Sequence, residues 1–394
     1  MDVRPHRPIK PAGPTVGPLG EPFPDVRRIA VLRGGGLGDL FFAMPALEAL
    51  RAAYPDAEIV LLGSRLHARL LEGRPSSVDE VIVLPEGGRG GADPTERDIE
   101  DFRRRVCHRP VDLGVQLHGG GAWSNPFLLR LGPRFTVGCR AEGAEPLDRN
   151  VPFRYYQNET MRALEVVCAA GAPAVVLEPR IQATAADIAV ADRALGPSDR
   201  SLVAIHPGAT DPRRRWPVSS FASVAAECVD RGLDVVLLGA TAELDLLDSV
   251  AVETRARAPQ RRDCGVRQLA GSDISTLCGV LARSTVFVGN DSGPRHLARA
   301  LDVPTVGVFW VGNVINAGPV GRTRDRVLIS WRTDCSVCGR DITDETAPPC
   351  PHDASVVDTV SVAQVRGELC DLLSSVRTSS GDREFGRVRA VDQM

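Results

Sequence analysis

Lysine is almost absent from this 394-residue chain: Lys10 stands alone among 47 basic residues, so arginine carries nearly all the positive charge. The skew fits a GC-rich coding sequence and supplies many groups that pair with planar anions such as phosphate. Charge of one sign is not in excess. A net charge of −3 gives no strong attraction to nucleic acid or to an anionic membrane surface, so neither is an expected partner. Long hydrophobic runs are also missing. The longest uncharged run, Val303–Gly321, is broken by Pro304, Pro319, four glycines and two asparagines, and reads as a buried strand plus a loop. Ten cysteines lie scattered without a dense secreted framework, which points to reduced thiols in a cytoplasmic protein. No segment reads as a signal peptide. Residues 1–27 hold seven prolines and no apolar stretch, and read as a disordered tail.

What is present is an ordinary globular balance, 43% hydrophobic and 25% charged, in a chain long enough for two or three domains. Strand-length apolar runs alternate with helix-period segments. Arg28–Arg33, Glu58–Leu62, Val81–Leu84 and Val111–Leu117 read as strands, and Leu40–Tyr54 and Ala163–Ala170 as helices. An Ala-rich helix over Ala183–Leu195 ends at Gly196-Pro197, a boundary signal. The rhythm then restarts. Ser201–Ile205, Asp234–Leu238, Thr285–Val288 and Thr305–Phe309 read as strands; Val218–Arg231, Ala242–Val252, Asp273–Ala282 and Pro294–Leu301 read as helices. A last helix, Val362–Leu373, packs on either half. The expectation is a Pro-rich tail (1–27), an α/β domain (28–182), a second (199–360), a C-terminal helix (361–376) and a flexible tail (377–394). Each α/β domain is expected to hold a mostly parallel sheet, with ligands at the carboxyl ends of the strands.

Three loops at such ends carry chemistry-bearing residues. The first is Gly34-Gly35-Gly36-Leu37-Gly38-Asp39. It fails the dinucleotide fingerprint, because the third glycine position falls on Asp39 and no acid closes the second strand. It also lacks the Gly-Lys-Ser/Thr of a P-loop. Asp39 either caps the following helix or serves as a general base beside a glycine-lined approach. The second is His206-Pro207-Gly208-Ala209-Thr210 with Arg213-Arg214-Arg215-Trp216. It reads as a diphosphate clamp, or as a solvated basic loop anchored by Trp216. The third, Gly289-Asn290-Asp291-Ser292-Gly293-Pro294-Arg295-His296, opens a helix whose free N–H groups suit a phosphate. There the plainer reading is capping, with His296 a core histidine.

In order and spacing these loops resemble glycosyltransferase family 9, the ADP-heptose-dependent heptosyltransferases. The resemblance rests on Leu37-Gly38-Asp39 with Met44-Pro45-Ala46-Leu47, His206-Pro207-Gly208-Ala209, Arg214-Arg215-Trp216-Pro217, Val235–Gly239 with Glu243, and Gly289–Pro294 with His296-Leu297, over roughly residues 28–375. It implies a GT-B fold, two Rossmann-like domains facing a central cleft. It implies an inverting transfer of heptose, or a related sugar, from an ADP-sugar co-substrate to a hydroxyl of a glycan, lipid-linked or small-molecule acceptor. On this pattern Asp39 is the base. His206, Gly208, Thr210, Arg214, Glu243, Asp291, Ser292, Gly293 and His296 hold the donor. Gly36, Gly38, His118 and Trp123 are candidates for the acceptor side, as is the Pro85–Thr95 loop. The chain contains no Asp-x-Asp, so arginine and a helix dipole are expected to stabilise the leaving diphosphate without a metal or other cofactor. Membrane contact is at most peripheral, through a lipid-linked acceptor at the inner face. Three glycines before Asp39 stand where such transferases often carry serine or threonine. A nucleotide-sugar epimerase or hydrolase and a silent nucleotide-sugar-binding protein are the competing readings.

Cys335-x2-Cys338, Cys350 and His352 have a spacing that could hold a structural zinc, or are incidental thiols in a loop. No catalytic metal is expected from them.

Overall fold

The computed structural model describes residues 14–85, 95–259, 265–344 and 350–389. It divides into two compact units, one of residues 1–71 and 76–179, the other of residues 72–75 and 180–394.

The first unit contains β1 (Arg28–Leu32), α1 (Leu37–Ala53), β2 (Glu58–Gly63), α2 (Arg65–Leu71), β3 (Glu80–Val83), α3 (Glu96–Cys107), β4 (Leu113–Gln116), α4 (Ser124–Leu129), β5 (Phe135–Arg140), β6 (Arg149–Pro152) and α5 (Glu159–Ala169). Its sheet runs β3-β2-β1-β4-β5-β6, with every pairing parallel. Strand β1 is buried at all five positions, as a strand covered on both faces must be. Ala30 and Leu32 pack with Val60, Leu62, Phe102 and Leu128 in one of its core clusters.

The second unit contains α6 (Ala185–Leu195), β7 (Leu202–His206), α7 (Val218–Asp230), β8 (Asp234–Gly239), α8 (Leu244–Arg257), β9 (Val266–Ala270), α9 (Ile274–Arg283), β10 (Val286–Asn290), α10 (Gly293–Ala300), β11 (Thr305–Trp310), α11 (Val311–Ala317), β12 (Asp325–Ser330) and α12 (Val362–Arg389). The order β12-β11-β10-β7-β8-β9, again all parallel, repeats the arrangement of the first sheet. Both are Rossmann-like: the chain leaves the middle of each sheet in opposite directions, and the reversal lies between β1 and β4 and between β7 and β10.

Several expectations need correction. Residues 14–27 are not a disordered tail. Phe23 is buried, stacks on Phe135 at 4.7 Å and lies under the Arg149 guanidinium at 3.8 Å. Gly20 N–H donates to Cys168 O at 2.9 Å and Phe23 N–H to the Tyr54 hydroxyl at 3.0 Å. Proline limits helix and sheet but not an extended segment with an aromatic anchor. Residues 1–13 lie outside the described part. The division also falls earlier than Gly196-Pro197. Helix α6 belongs to the second unit, packed so closely on α9 that a Cβ on Gly279 would lie 2.0 Å from Asp187 O. Asp187 is paired there with Arg74, 2.7 Å away. Helix α12 also joins this unit, through Val365, Leu369 and Leu372 in its core, and continues to Arg389 rather than stopping at 376. The stretch after β11 forms α11 instead of a loop. Strands β5, β6, β9 and β12, all absent from the sequence reading, complete the sheets. Among the described residues no helix is long and apolar enough to cross a membrane.

Candidate active site

In the first unit the β1–α1 loop sits at the point where strand order reverses. Asp39 is the third residue of α1, and Oδ2 accepts the Gly36 N–H at 2.8 Å. It therefore does cap the helix, by returning to the N-cap backbone. The cap leaves its side chain 41% exposed. Oδ1 lies 2.8 Å from Arg33 Nη2. Arg33 is itself buried, donates to the Leu117 carbonyl and reaches Glu159 at 3.3 Å. Gly35 makes this geometry possible. Its φ is +97°, and a Cβ there would fall 2.3 Å from Asp39 Oδ2.

Two histidines brace the loop. His67 is fully buried, donates from Nε2 to Gly36 O at 2.9 Å and accepts Ser64 N–H at Nδ1 at 3.3 Å. His118 follows β4 and accepts Gly34 N–H at Nδ1 at 3.2 Å, joining the two loops across the switch point. Burial pushes both imidazoles below the usual histidine range, so both are neutral near pH 7. Trp123 lies edge-on to His118 at 5.0 Å and is 51% exposed. Gly36 is exposed and Gly38 half-buried in the first turn of α1. The Pro85–Thr95 loop falls, from residue 86 to 94, outside the described residues.

The second unit uses the same switch point with different chemistry. Ser292 Oγ lies 3.1 Å from His206 Nδ1, and His206 Nε2 lies 3.6 Å from Glu243 Oε2. The neighbouring His206, against the opposing effect of burial, holds the Glu243 carboxyl below the usual range. A Cβ on Gly208 would sit 2.0 Å from Glu243 Oε1, so a side chain there would displace the Glu243 carboxylate. Asn290, fully buried, donates from Nδ2 to Pro207 O at 2.8 Å and accepts Trp216 N–H at 3.0 Å. One amide thus ties the β7 loop, the arginine segment and the β10 loop together. Trp216 is a core anchor, as the plainer reading had it, and its indole N–H donates to Val360 O at 2.8 Å.

The three arginines divide their work. Arg213 forms a two-pronged pair with Asp211, at 3.0 and 2.7 Å. Arg215 donates twice to Ala209 O. Arg214 is left to face Asp291 at 3.5 Å. Asp291 is buried. Burial favours its neutral form, but His296, Arg295 and Arg214 outweigh that, and its carboxyl lies below the ordinary range. His296 donates to Asp291 Oδ1 across 3.2 Å. Buried itself, it is pushed down to about 4 and stays neutral. It supports the loop from beneath. Gly293 begins α10 behind an N-cap, Ser292, whose side chain makes no capping bond. Thr210 is exposed at the loop tip. The structure thus gathers all nine donor-side candidates around one end of this sheet. The sequence reading missed Arg33, His67 and Asn290. For Arg33 a signal existed, a charge closing the apolar run Ile29–Leu32 at the start of the glycine loop, but its partners were not readable.

The chain is similar to known proteins over most of its length. The family profile described as glycosyltransferase family 9 (heptosyltransferase) matches residues 100–344. Lipopolysaccharide heptosyltransferase 2 of Salmonella typhimurium is 28% identical over 309 residues, 72% of this chain and 82% of that protein. Among solved structures, a family 9 glycosyl transferase from Veillonella parvula superposes with a TM-score of 0.72 at 19% identity, covering 90% of this chain and all of that one. ADP-heptose lps heptosyltransferase II of E. coli gives 0.67 at 19% identity, covering 88% and 99%. These two neighbours show the fold, that of the GT-B glycosyltransferases. With the profile spanning more than half of its residues, the chain belongs to glycosyltransferase family 9 and is a glycosyltransferase.

Proposed function

We propose that this protein moves heptose from ADP-heptose to a hydroxyl of a glycan, lipid-linked or small-molecule acceptor, with inversion at the anomeric carbon. The observation that carries the reading is the content of the two switch points. One presents a half-exposed, pre-oriented carboxylate. The other presents Arg214 beside the N-terminus of α10. The family match begins after the Gly34–Asp39 loop, so the role of Asp39 rests on its geometry and on the resemblance of its motif.

In this reading Asp39 accepts the proton of the acceptor hydroxyl through a lone pair not used by Gly36 or Arg33. The acceptor oxygen attacks the anomeric carbon, the bond from that carbon to the β-phosphate oxygen breaks, and ADP leaves with the bonding pair. Arg214, Thr210, the backbone at Gly208 and the N–H groups of Ser292 and Gly293 take up the growing diphosphate charge. Glu243 serves the ribose, and His206 and His296 hold the loops that do so. The arginine and the helix end supply the positive potential that a divalent ion supplies elsewhere, so transfer is expected to need no added metal. Trp123, with His118, Gly36 and Gly38, offers a flat apolar face to the acceptor. The enzyme would work in the cytoplasm, with at most peripheral contact with a membrane.

The test is calorimetry with ADP-, UDP-, GDP- and TDP-sugars, followed by incubation with ADP-heptose and an inner-core lipopolysaccharide oligosaccharide. Tightest binding of the ADP sugar, and heptose on the oligosaccharide with no added metal, is the expected result. Preference for another nucleotide overturns the donor assignment. Equal sugar release with and without acceptor marks a hydrolase. Asp39→Asn should keep donor affinity and lose about 10²- to 10⁴-fold in turnover.

A further inference from the structure

Following β12 in the second unit, the chain forms a tight knuckle. Asp334 and Asp341 pair as a short antiparallel bridge. Between them Cys335 N–H donates to Arg340 O and Gly339 N–H to Cys335 O, both at 2.8 Å. Gly339 supplies the positive φ, +69°, that lets the turn close. The backbone N–H groups of Val337 and Cys338 both point at the Cys335 sulfur. Further on, the backbone of His352 points at the Cys350 sulfur in the same way. The four side chains converge: Cys338 and Cys350 sulfurs are 3.5 Å apart, and His352 Nδ1 lies 3.2 Å from Cys350 Sγ and 3.7 Å from Cys335 Sγ. All four ligand atoms fall within 4.8 Å of one another.

We infer that Cys335, Cys338, Cys350 and His352 bind one zinc ion in a closed, structural site. A tetrahedral zinc with three sulfurs and one nitrogen sets ligand atoms about 3.6 to 3.8 Å apart, as its bond lengths require. The three spacings above, 3.2, 3.5 and 3.7 Å, lie close to that range. Three soft thiolates and an imidazole suit zinc better than a hard ion. The N–H groups aimed at two of the sulfurs would spread the net negative charge of such a site. Four protein ligands leave no position for substrate, so the ion would fasten a loop rather than catalyse.

That loop matters for its neighbours. Beyond the knuckle, Val356 N–H donates to Arg213 O and Ser355 Oγ to Arg215 O, both at 2.7 Å. The two bonds flank Arg214. The metal site would thus back the segment that presents Arg214, an effect on the donor that rests on the function proposed above; metal binding itself does not.

Elemental analysis of the purified full chain, kept reduced, is expected to give one zinc per chain. Cys338→Ser, at an exposed position, should lose it, and Cys370→Ser, a half-buried thiol of α12, should keep it. Cobalt exchanged into the unaltered protein should show thiolate charge transfer and the strong visible bands of a tetrahedral ion. A chain that neither carries zinc nor takes it up, full zinc in Cys338→Ser, stoichiometric iron in place of zinc, or a native Cys338–Cys350 disulfide overturns the assignment. Chelation should weaken ADP binding several-fold. Unchanged ADP affinity after zinc loss overturns the buttressing of Arg214, whereas absent ADP binding in the zinc-loaded protein counts against the proposed donor instead.

Discussion

Arg33 and Asp39 meet across the first turn of α1, guanidinium to carboxylate at 2.8 Å, while the same guanidinium group reaches Glu159 on α5 at 3.3 Å. One carboxylate oxygen is thereby held by a buried cation and the other by a backbone N–H. Asp39 is thus oriented before any substrate arrives, which is what a base at a stated position requires.

Gly35→Ala tests that orientation. The added Cβ would collide with Asp39 Oδ2 and force an alanine into a left-handed conformation. Gly73→Ala is the control, with the same sign of φ, +67°, and no atom within 4 Å. Both variants should lose about 1 kcal/mol of stability. Only Gly35→Ala should lose turnover, by roughly the factor expected for Asp39→Asn. Parallel loss of activity in both would show that strain, not the carboxylate position, is responsible.

Arg214→Ala should weaken ADP-sugar binding by about 10- to 100-fold, the worth of a charge-assisted contact. Isothermal calorimetry reads this directly. Arg214→Lys should recover part of it, because lysine restores the charge without the fork. Arg213→Ala should cost little, since Arg213 is already occupied by Asp211. Equal losses in Arg213→Ala and Arg214→Ala would remove the distinction drawn between them.

Acid should destabilise the second unit through His296. It is neutral in the fold, pushed down to about 4 by burial, whereas in the unfolded chain it takes a proton near pH 6.5. Unfolding therefore binds a proton between these values, and stability falls as pH drops through that window. Asp291, held low in the fold, adds loss in the same direction at still lower pH. Differential scanning calorimetry from about pH 7 to pH 4 should show a falling Tm. His296→Gln should start lower and fall less steeply; an unaltered slope would exclude His296 as the source.

Phe23→Ala should reduce the stability of the first unit by about 3 kcal/mol, the cost of emptying a buried aromatic site. Chemical denaturation monitored on the first unit measures it. A variant as stable as the parent would mean that residues 14–27 contribute nothing to the fold.

The central strands of both sheets could be read from the sequence, because a strand buried on both faces is written as a continuous apolar run. RIAVL, EIVLLG and DVVLLG are such runs. Of the four edge strands only β3 was readable. RNVP and VRQLA carry charged or polar residues, and only the neighbour they pair with makes them strands. Likewise Asp39 and Asp291 were legible, since an acid beside glycines at a helix start is a local pattern. What Asp39 touches was decided by tertiary structure. Glu159 reaches Arg33 from 126 residues away, and Asn290 joins Pro207 across 83. Composition and periodicity act over a few neighbouring residues. Parallel sheets bring distant strand ends together through crossovers, so the partners that orient a reactive side chain exist only once the sheet has formed.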